Sequence, residues 1–101
     1  MIVRLTRIEI DRKCSIAGRI VERRYVYAIV LWRWFRQPVY LRLNGDWYHA
    51  MINGGQISVE LTRSKYQATT FRENACDYHK LELGKKIVEL IKTEPDRFVL
   101  G

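Results

Sequence analysis

Two cysteines and two histidines give this chain the side-chain inventory of a tetrahedral zinc site. Structural zinc sites use closely spaced pairs of ligands, whereas only Cys76 and His79 are neighbours in this sequence. Cys14 and His49 are isolated. Cys76 and His79 also fall on an apolar stripe, where a small hydrophobic residue and a core histidine are typical. We therefore expect no metal site and no cofactor.

Nucleophilic catalysis requires a nucleophile, a base and a third group that orients the base. The sequence contains two fragments of such a set, His49 with Asp46 and Cys76 with His79. Neither fragment lies in a Gly-x-Ser-x-Gly elbow, and the chain has no phosphate-binding glycine loop. We therefore expect a protein that is not an enzyme.

Basic residues interleaved with aromatic ones are the remaining signal. The net charge is +7, and residues 1–45 carry all of it, with ten basic and three acidic side chains. Residues 46–101 contain eight of each sign. Nine of the ten cations in the first part are arginines, which suit planar, bidentate contacts with phosphate. This asymmetry favours a polyanionic partner, with a basic surface that binds nothing as the alternative.

The segment 25–36 combines aromatic, β-branched and arginine side chains and contains no acid. As a strand it would place Trp32 and Trp34 on one face and Arg33 on the other. Single-stranded nucleic acid is bound by exposed rings that stack on bases and by cations that follow the phosphates. The predicted contact residues are Arg23, Arg24, Arg33, Arg36, Arg42, Trp32 and Trp34.

Strands are predicted to position most of these residues. Alternation and β-branched residues indicate strands at 2–10, about 16–22, 25–36, 39–43, 46–52 and 57–62, with a polar turn at 11–13. A helix that begins at Ser15 is an alternative for the segment 16–36. The Asn44-Gly45 pair predicts a hairpin, so that residues 39–62 would form a three-stranded antiparallel meander.

The last third of the chain has helical periodicity. Apolar residues recur at spacings of three and four, and Thr70 with Glu73 has the form of a capping box. Pro95 ends the pattern, which predicts one amphipathic helix over about 72–93. Gly84 inside this helix either allows close approach to the sheet or ends a shorter helix, leaving 86–92 as a strand.

The predicted fold class is α+β: a single domain over 1–101, with an antiparallel sheet of about five strands and the helix packed on one face. The apolar runs are too short to span a membrane, and the N-terminal residues do not have the pattern of a signal peptide. With two cysteines and no export signal, we expect a cytoplasmic protein with free thiols.

The sequence therefore predicts a small, basic, non-enzymatic module that contacts nucleic acid, DNA or RNA, or a nucleoprotein complex. An alternative is an accessory protein of the kind that phages and plasmids encode, which binds and inhibits or adapts an acidic host protein. A homodimer through the sheet is compatible with both. Contact of Trp32–Arg36 with a membrane surface is a weaker third interpretation, and we expect no membrane partner.

Overall fold

A computed structural model describes residues 2–14, 17–32 and 37–101, with backbone alone at 12–14 and 20–22. The described residues form six strands and two α-helices, so the fold class is α+β as predicted. The elements are β1 (Ile2–Cys14), β2 (Ile20–Trp32), β3 (Val39–Leu43), α1 (Trp47–Asn53), β4 (Ile57–Thr62), β5 (Thr70–Phe71), α2 (Leu81–Thr93), a 3₁₀ turn (Pro95–Arg97) and β6 (Phe98–Leu100).

The strands form one mixed sheet in the order β1-β2-β3-β4-β6, with β5 paired to β2 off this path. Every pairing is antiparallel except that of β4 with β6, which is parallel. The prediction of an antiparallel sheet of about five strands is therefore correct only in part. It lacks the short strands β5 and β6 and the parallel pair, because both strands have two or three residues and partners that are distant in the chain.

The longest pairing is a ribbon of β1 and β2 that runs from Ile2↔Trp32 to Cys14↔Ile20. The predicted strands at 16–22 and 25–36 are one strand in the described part of the chain, because Arg23 and Arg24 continue the pairing. The predicted turn at 11–13 is wrong. The polar residues there remain in β1, and the pairing shifts register between Glu9 and Asp11, as in a β-bulge.

The predicted Asn44-Gly45 hairpin is wrong, because the helix α1 follows it instead of a strand. Gly45 does adopt a positive φ of 56°, but the chain then turns into α1. Trp47 and Met51 are four residues apart, so one face of α1 buries both side chains. This tertiary burial outweighs the β-propensity of the aromatic residues there. β3 and β4 still pair antiparallel, with α1 as their connection.

The predicted helix over 72–93 ends as expected, at Thr93 before Pro95, but its observed start, Leu81, lies well after the predicted one. Residues 70 and 71 form β5, which pairs with Tyr27 and Ala28. Phe71 is fully buried in the sheet, and this position is incompatible with the predicted capping box. Burial of a large ring stabilises the fold by about 1.5–3 kcal/mol, more than a helix cap contributes.

Gly84 allows α2 to lie close to the sheet, which was the first of the two predicted roles of this glycine. A Cβ atom at this position would lie 2.9 Å from Cγ of Phe71 and 3.1 Å from Cδ1 of Leu5. The helix also buries Leu81, Ile87 and Val88. The alternative of a strand over 86–92 is therefore wrong.

The two faces of β2 have different neighbours. Ile29 and Leu31 belong to the core cluster that includes residues of α1 and α2. Strand alternation directs Val30, which is buried, and Trp32 to the opposite face, which we call the helix-free face because the buried side chains of both helices belong to the cluster with Ile29. Trp32 is 39% exposed there.

The end of the ribbon forms an arm, residues 11–14 and 20–24, whose base at Asp11 and Arg24 lines a concavity together with Tyr66 and His79 of the body. Among the described residues, β2 has no partner but β1 in this region, because its pairing with β5 stops at Tyr27. Four residue steps give the paired part of the arm a length of about 13 Å. The radius of gyration, 15.0 Å, exceeds the value of about 13 Å that is typical of a compact chain of this length.

Candidate nucleic-acid interface

Four of the seven predicted contact residues lie on the surface of the described part of the chain. Arg23 and Arg24 are exposed on the arm, where Arg24 pairs with Asp11. Trp32 and Arg42 are exposed on the helix-free face. Arg33, Trp34 and Arg36 lie outside the described residues, so the predictions that involve them stay predictions.

The structure does not bring these four residues together. Arg24 and Trp32 are eight residues apart on one extended strand, a distance of about 26 Å. The predicted surface therefore consists of two separate regions, the arm and a patch near the far end of β2.

The helix-free patch consists of Arg4, Trp32, Tyr40 and Arg42. Arg4 and Tyr40 flank Val30 in one cross-strand row, and directly opposed residues of antiparallel strands lie on the same face. Arg42 pairs with Glu60, which offsets its charge locally. The patch thus combines two rings and two guanidinium groups with one carboxylate.

The arm carries a stronger positive charge than this patch. With Arg19 of the turn included, the arm contains five basic and two acidic side chains. The turn at its end includes Gly18, whose φ of +79° is accessible to glycine at little cost. Loop residue Lys65 supports the base of the arm, since its Nζ donates a hydrogen bond to the Glu9 carbonyl (2.7 Å).

Sequence reasoning missed a second cluster where the arm joins the body. The guanidinium carbon of Arg7 lies 4.2 Å from the centroid of the Tyr25 ring, a cation–π contact. Beside this pair is a concavity of about 480 Å³, which is lined by Arg7, Tyr25, Tyr27, Arg72, Glu73 and Asn74. We call it the Arg7–Arg72 cleft. The β1–β2 side of the cleft could have been predicted from the sequence, because antiparallel pairing of the two strands places Arg7 opposite Tyr27.

The two catalytic fragments differ in the structure. Nδ1 of His49 lies 2.8 and 2.7 Å from the two carboxylate oxygens of Asp46, and both side chains are exposed on the surface. His79 instead donates from Nδ1 to the Thr70 carbonyl (2.8 Å). Cys76 is an exposed free cysteine, not a residue on a buried helical stripe. His79 therefore helps to hold the segment that follows β5.

Within the described residues, no group of three or more histidine, cysteine, aspartate or glutamate side chains is arranged to hold a metal ion. The same part of the chain contains no helix with the length and apolarity needed to cross a membrane.

Comparisons with known proteins give no relative: no family model matches the chain, and no curated protein or solved structure is significantly similar to it.

Proposed function

We propose that the protein is a small non-enzymatic module that binds nucleic acid, either directly or within a nucleoprotein complex, and that its arm makes the principal contact. The observation that carries this proposal is the exposure of Arg23 and Arg24 on the part of the ribbon where, among the described residues, β2 has no strand partner but β1. The partner would be DNA or RNA. On this proposal the protein acts in the cytoplasm, in keeping with its two cysteines.

The arm has the chemistry that phosphate recognition requires. Arginine presents a planar set of donors that matches two phosphate oxygens, and it stays charged at every physiological pH. Each phosphate that is neutralised releases condensed counterions, which favours binding at low salt. A two-stranded β-ribbon is also one of the elements that the major groove of B-DNA admits.

The helix-free patch would add a second contact. Trp32 is exposed, and an unpaired base that stacks on such a ring contributes about 1–3 kcal/mol. Because this patch and the arm are about 26 Å apart, one strand would have to extend over several nucleotides to reach both.

A salt-dependent binding titration tests the proposal with the wild-type protein and the double variant Arg23→Ala/Arg24→Ala. For each phosphate that the variant no longer neutralises, the slope of log K against log salt should fall by about 0.9 on duplex DNA, or about 0.7 on single strands. The matched control is Lys85→Ala/Lys86→Ala, which removes two positive charges from exposed positions on α2. Its slope should equal that of the wild type. Absence of binding to both DNA and RNA at about 50 mM salt would refute the proposal.

A second candidate function is an adaptor or inhibitor that binds an acidic protein partner, like the accessory proteins of phages and plasmids. The observation in its favour is that no third strand of the described residues pairs with the arm, so an extended peptide segment can add as a further strand. The outer edge of β1 could also pair with a second copy of the chain and so form a homodimer. A partner that stays bound in a pull-down after nuclease treatment favours this candidate, and one that nuclease treatment releases favours nucleic acid.

A further inference from the structure

The Arg7–Arg72 cleft joins two parts of the chain that are 65 positions apart in sequence. Arg7 comes from β1, and Arg72 follows β5 directly. Both side chains are exposed, and both line the same concavity of about 480 Å³.

Arg7 is already oriented for recognition of an anion. Its guanidinium group lies over the Tyr25 ring at 4.2 Å, so the ring restricts one of its faces. The N–H donors of a guanidinium group lie in its plane and stay available to an acceptor at its edge. A stacked arginine therefore loses less side-chain entropy when it binds an oxyanion than a free one does.

Arg72 is anchored through its backbone. Its N–H donates to the carbonyl of His79 (2.8 Å), and its carbonyl accepts from the N–H of Leu81 (3.1 Å). These bonds tie the residue to the beginning of α2. The cleft thus lies between the segment that leads into α2 and the base of the arm.

Three of the remaining lining groups can donate a hydrogen bond to a phosphate oxygen. Tyr27 and Tyr25 offer hydroxyl donors, and Asn74 offers an amide. Glu73 is the one acid among the described lining residues, so two arginines outnumber it. Glu9, which pairs with Tyr25, has interactions of its own and does not line the cleft.

The cleft is continuous with the arm on one side of the ribbon. Alternation along β2 places Arg23, Tyr25 and Tyr27 on the same face. Two residue steps, about 6.6 Å, separate Arg23 from Tyr25. A strand held in the cleft can therefore continue outward along the arginines of the arm.

We infer that the Arg7–Arg72 cleft is a phosphate-binding site that takes one phosphate group of a nucleic-acid strand, with Arg7 and Arg72 as its paired charged donors. This inference rests on the proposed function, because the cleft would bind one phosphate of the same strand whose other phosphates contact the arm. The phosphate is either a terminal monoester or an internal diester, which offer the same oxygen acceptors.

The test uses NMR titration of the full chain at low ionic strength, with inorganic phosphate as the probe and chloride as the reference anion. Phosphate should shift the backbone amides of Tyr25 and of residues 72–74 more than chloride does. Arg7→Ala and Arg72→Ala should each weaken this binding about tenfold or more, since each removes a charge-assisted hydrogen bond. Arg72→Lys should retain part of the affinity, because it keeps the charge without the bidentate geometry.

Arg4→Ala is the matched control. Arg4 is an exposed arginine of the same strand, and its register with Val30 places it on the opposite, helix-free face. Its removal should leave the phosphate titration unchanged. Equal shifts with chloride and phosphate, or equal losses of affinity in Arg4→Ala and Arg72→Ala, would overturn the site.

Oligonucleotides of one sequence with a 5′-phosphate or a 5′-hydroxyl group separate the two sources of phosphate. A preference for the phosphorylated strand that Arg72→Ala abolishes identifies a terminal monoester. Equal affinity for both strands, reduced equally by Arg72→Ala, identifies an internal diester. If an acidic peptide binds the cleft and phosphate does not compete with it, the cleft is not a phosphate site, and neither source applies.

The outcomes for the site and for the proposed function are distinguishable. Nucleic-acid binding that is unaffected by Arg7→Ala and Arg72→Ala refutes the cleft and leaves the arm as the contact. Phosphate shifts in the cleft without any binding to DNA or RNA refute the proposed function and, with it, the assignment of the phosphate to a strand.

Discussion

The arm and the body of this domain are built from the same two strands but are stabilised differently. In the body, β2 has neighbours on both edges, and Ile29 packs in the core cluster with residues of both helices. In the arm, the described strands pair with each other alone, and Arg23 and Arg24 are exposed. From this contrast we expect substitutions in the body to lower the free energy of unfolding, whereas substitutions in the arm should lower the affinity for nucleic acid.

The largest effect is expected for Phe71→Ala in the body. Phe71 is fully buried and makes an edge-to-face contact with Trp47 at 6.2 Å between ring centroids. Removal of a buried ring lowers the free energy of unfolding by about 3–5 kcal/mol. Chemical denaturation measures the decrease, with Tyr66→Ala as the control, because Tyr66 is 72% exposed. Equal effects of the two substitutions would contradict the placement of β5 in the core.

Gly84→Ala should destabilise the body by a smaller amount. The new Cβ atom would lie 2.9 Å from Cγ of Phe71, and relief of such overpacking costs about 1–3 kcal/mol. The better helix propensity of alanine offsets about 1 kcal/mol of this. The free energy of unfolding should therefore fall, whereas Glu89→Ala, at an exposed position of α2, should change it by less than about 0.5 kcal/mol. A stabilised Gly84→Ala variant would show that the packing against β5 is loose.

Two glycines allow a matched comparison of body and arm. Gly54 follows α1 with φ +76°, Gly18 lies in the arm turn with φ +79°, and neither has an atom within 4 Å of an added Cβ. Each alanine substitution places an L-residue in the left-handed region at a cost of about 1–2 kcal/mol. Gly54→Ala should lower the global free energy of unfolding by that amount. Gly18→Ala should instead increase hydrogen exchange in the arm with little change in global stability. The comparison fails if both variants lose the same global stability.

The smallest change in stability is expected for Arg23→Ala/Arg24→Ala. Both side chains are exposed, so the free energy of unfolding should stay within about 0.5 kcal/mol of the wild type. Thermal or chemical denaturation of the protein used in the salt titration measures this. A clear decrease in stability would mean that these arginines support the fold, and any decrease in affinity could then not be assigned to phosphate contacts.

Local patterns in the sequence predicted several elements correctly. The alternation at 39–43 and 57–62 corresponds to β3 and β4, and Pro95 marks the end of α2. Each of these depends on residues that are close in sequence. The segments 46–52 and 72–80 were predicted wrongly, because the burial of Trp47 and of Phe71 depends on partners that the local pattern does not contain.

The same distinction applies to the candidate site. Arg23 and Arg24 were identified from charge alone, and both are exposed. Arg7 and Arg72 were missed, because no local signal connects two residues that are 65 positions apart. Their convergence follows from the pairing of β5 with β2, which places the segment after Phe71 beside the base of the arm.

By itself the sequence determined where the positive charge is concentrated, the α+β class and the end of the last helix, since these depend on composition and on short-range periodicity. The tertiary structure alone decided that α2 covers the Ile29 face of β2, that Trp32 lies on the other face, and that the predicted contact residues divide between arm and patch. The physical reason is burial. Ala28 and Val30 on one face of β2 are as buried as Ile29 and Leu31 on the other, so local apolarity does not distinguish the faces, and partners distant in the chain decide which one the helices cover.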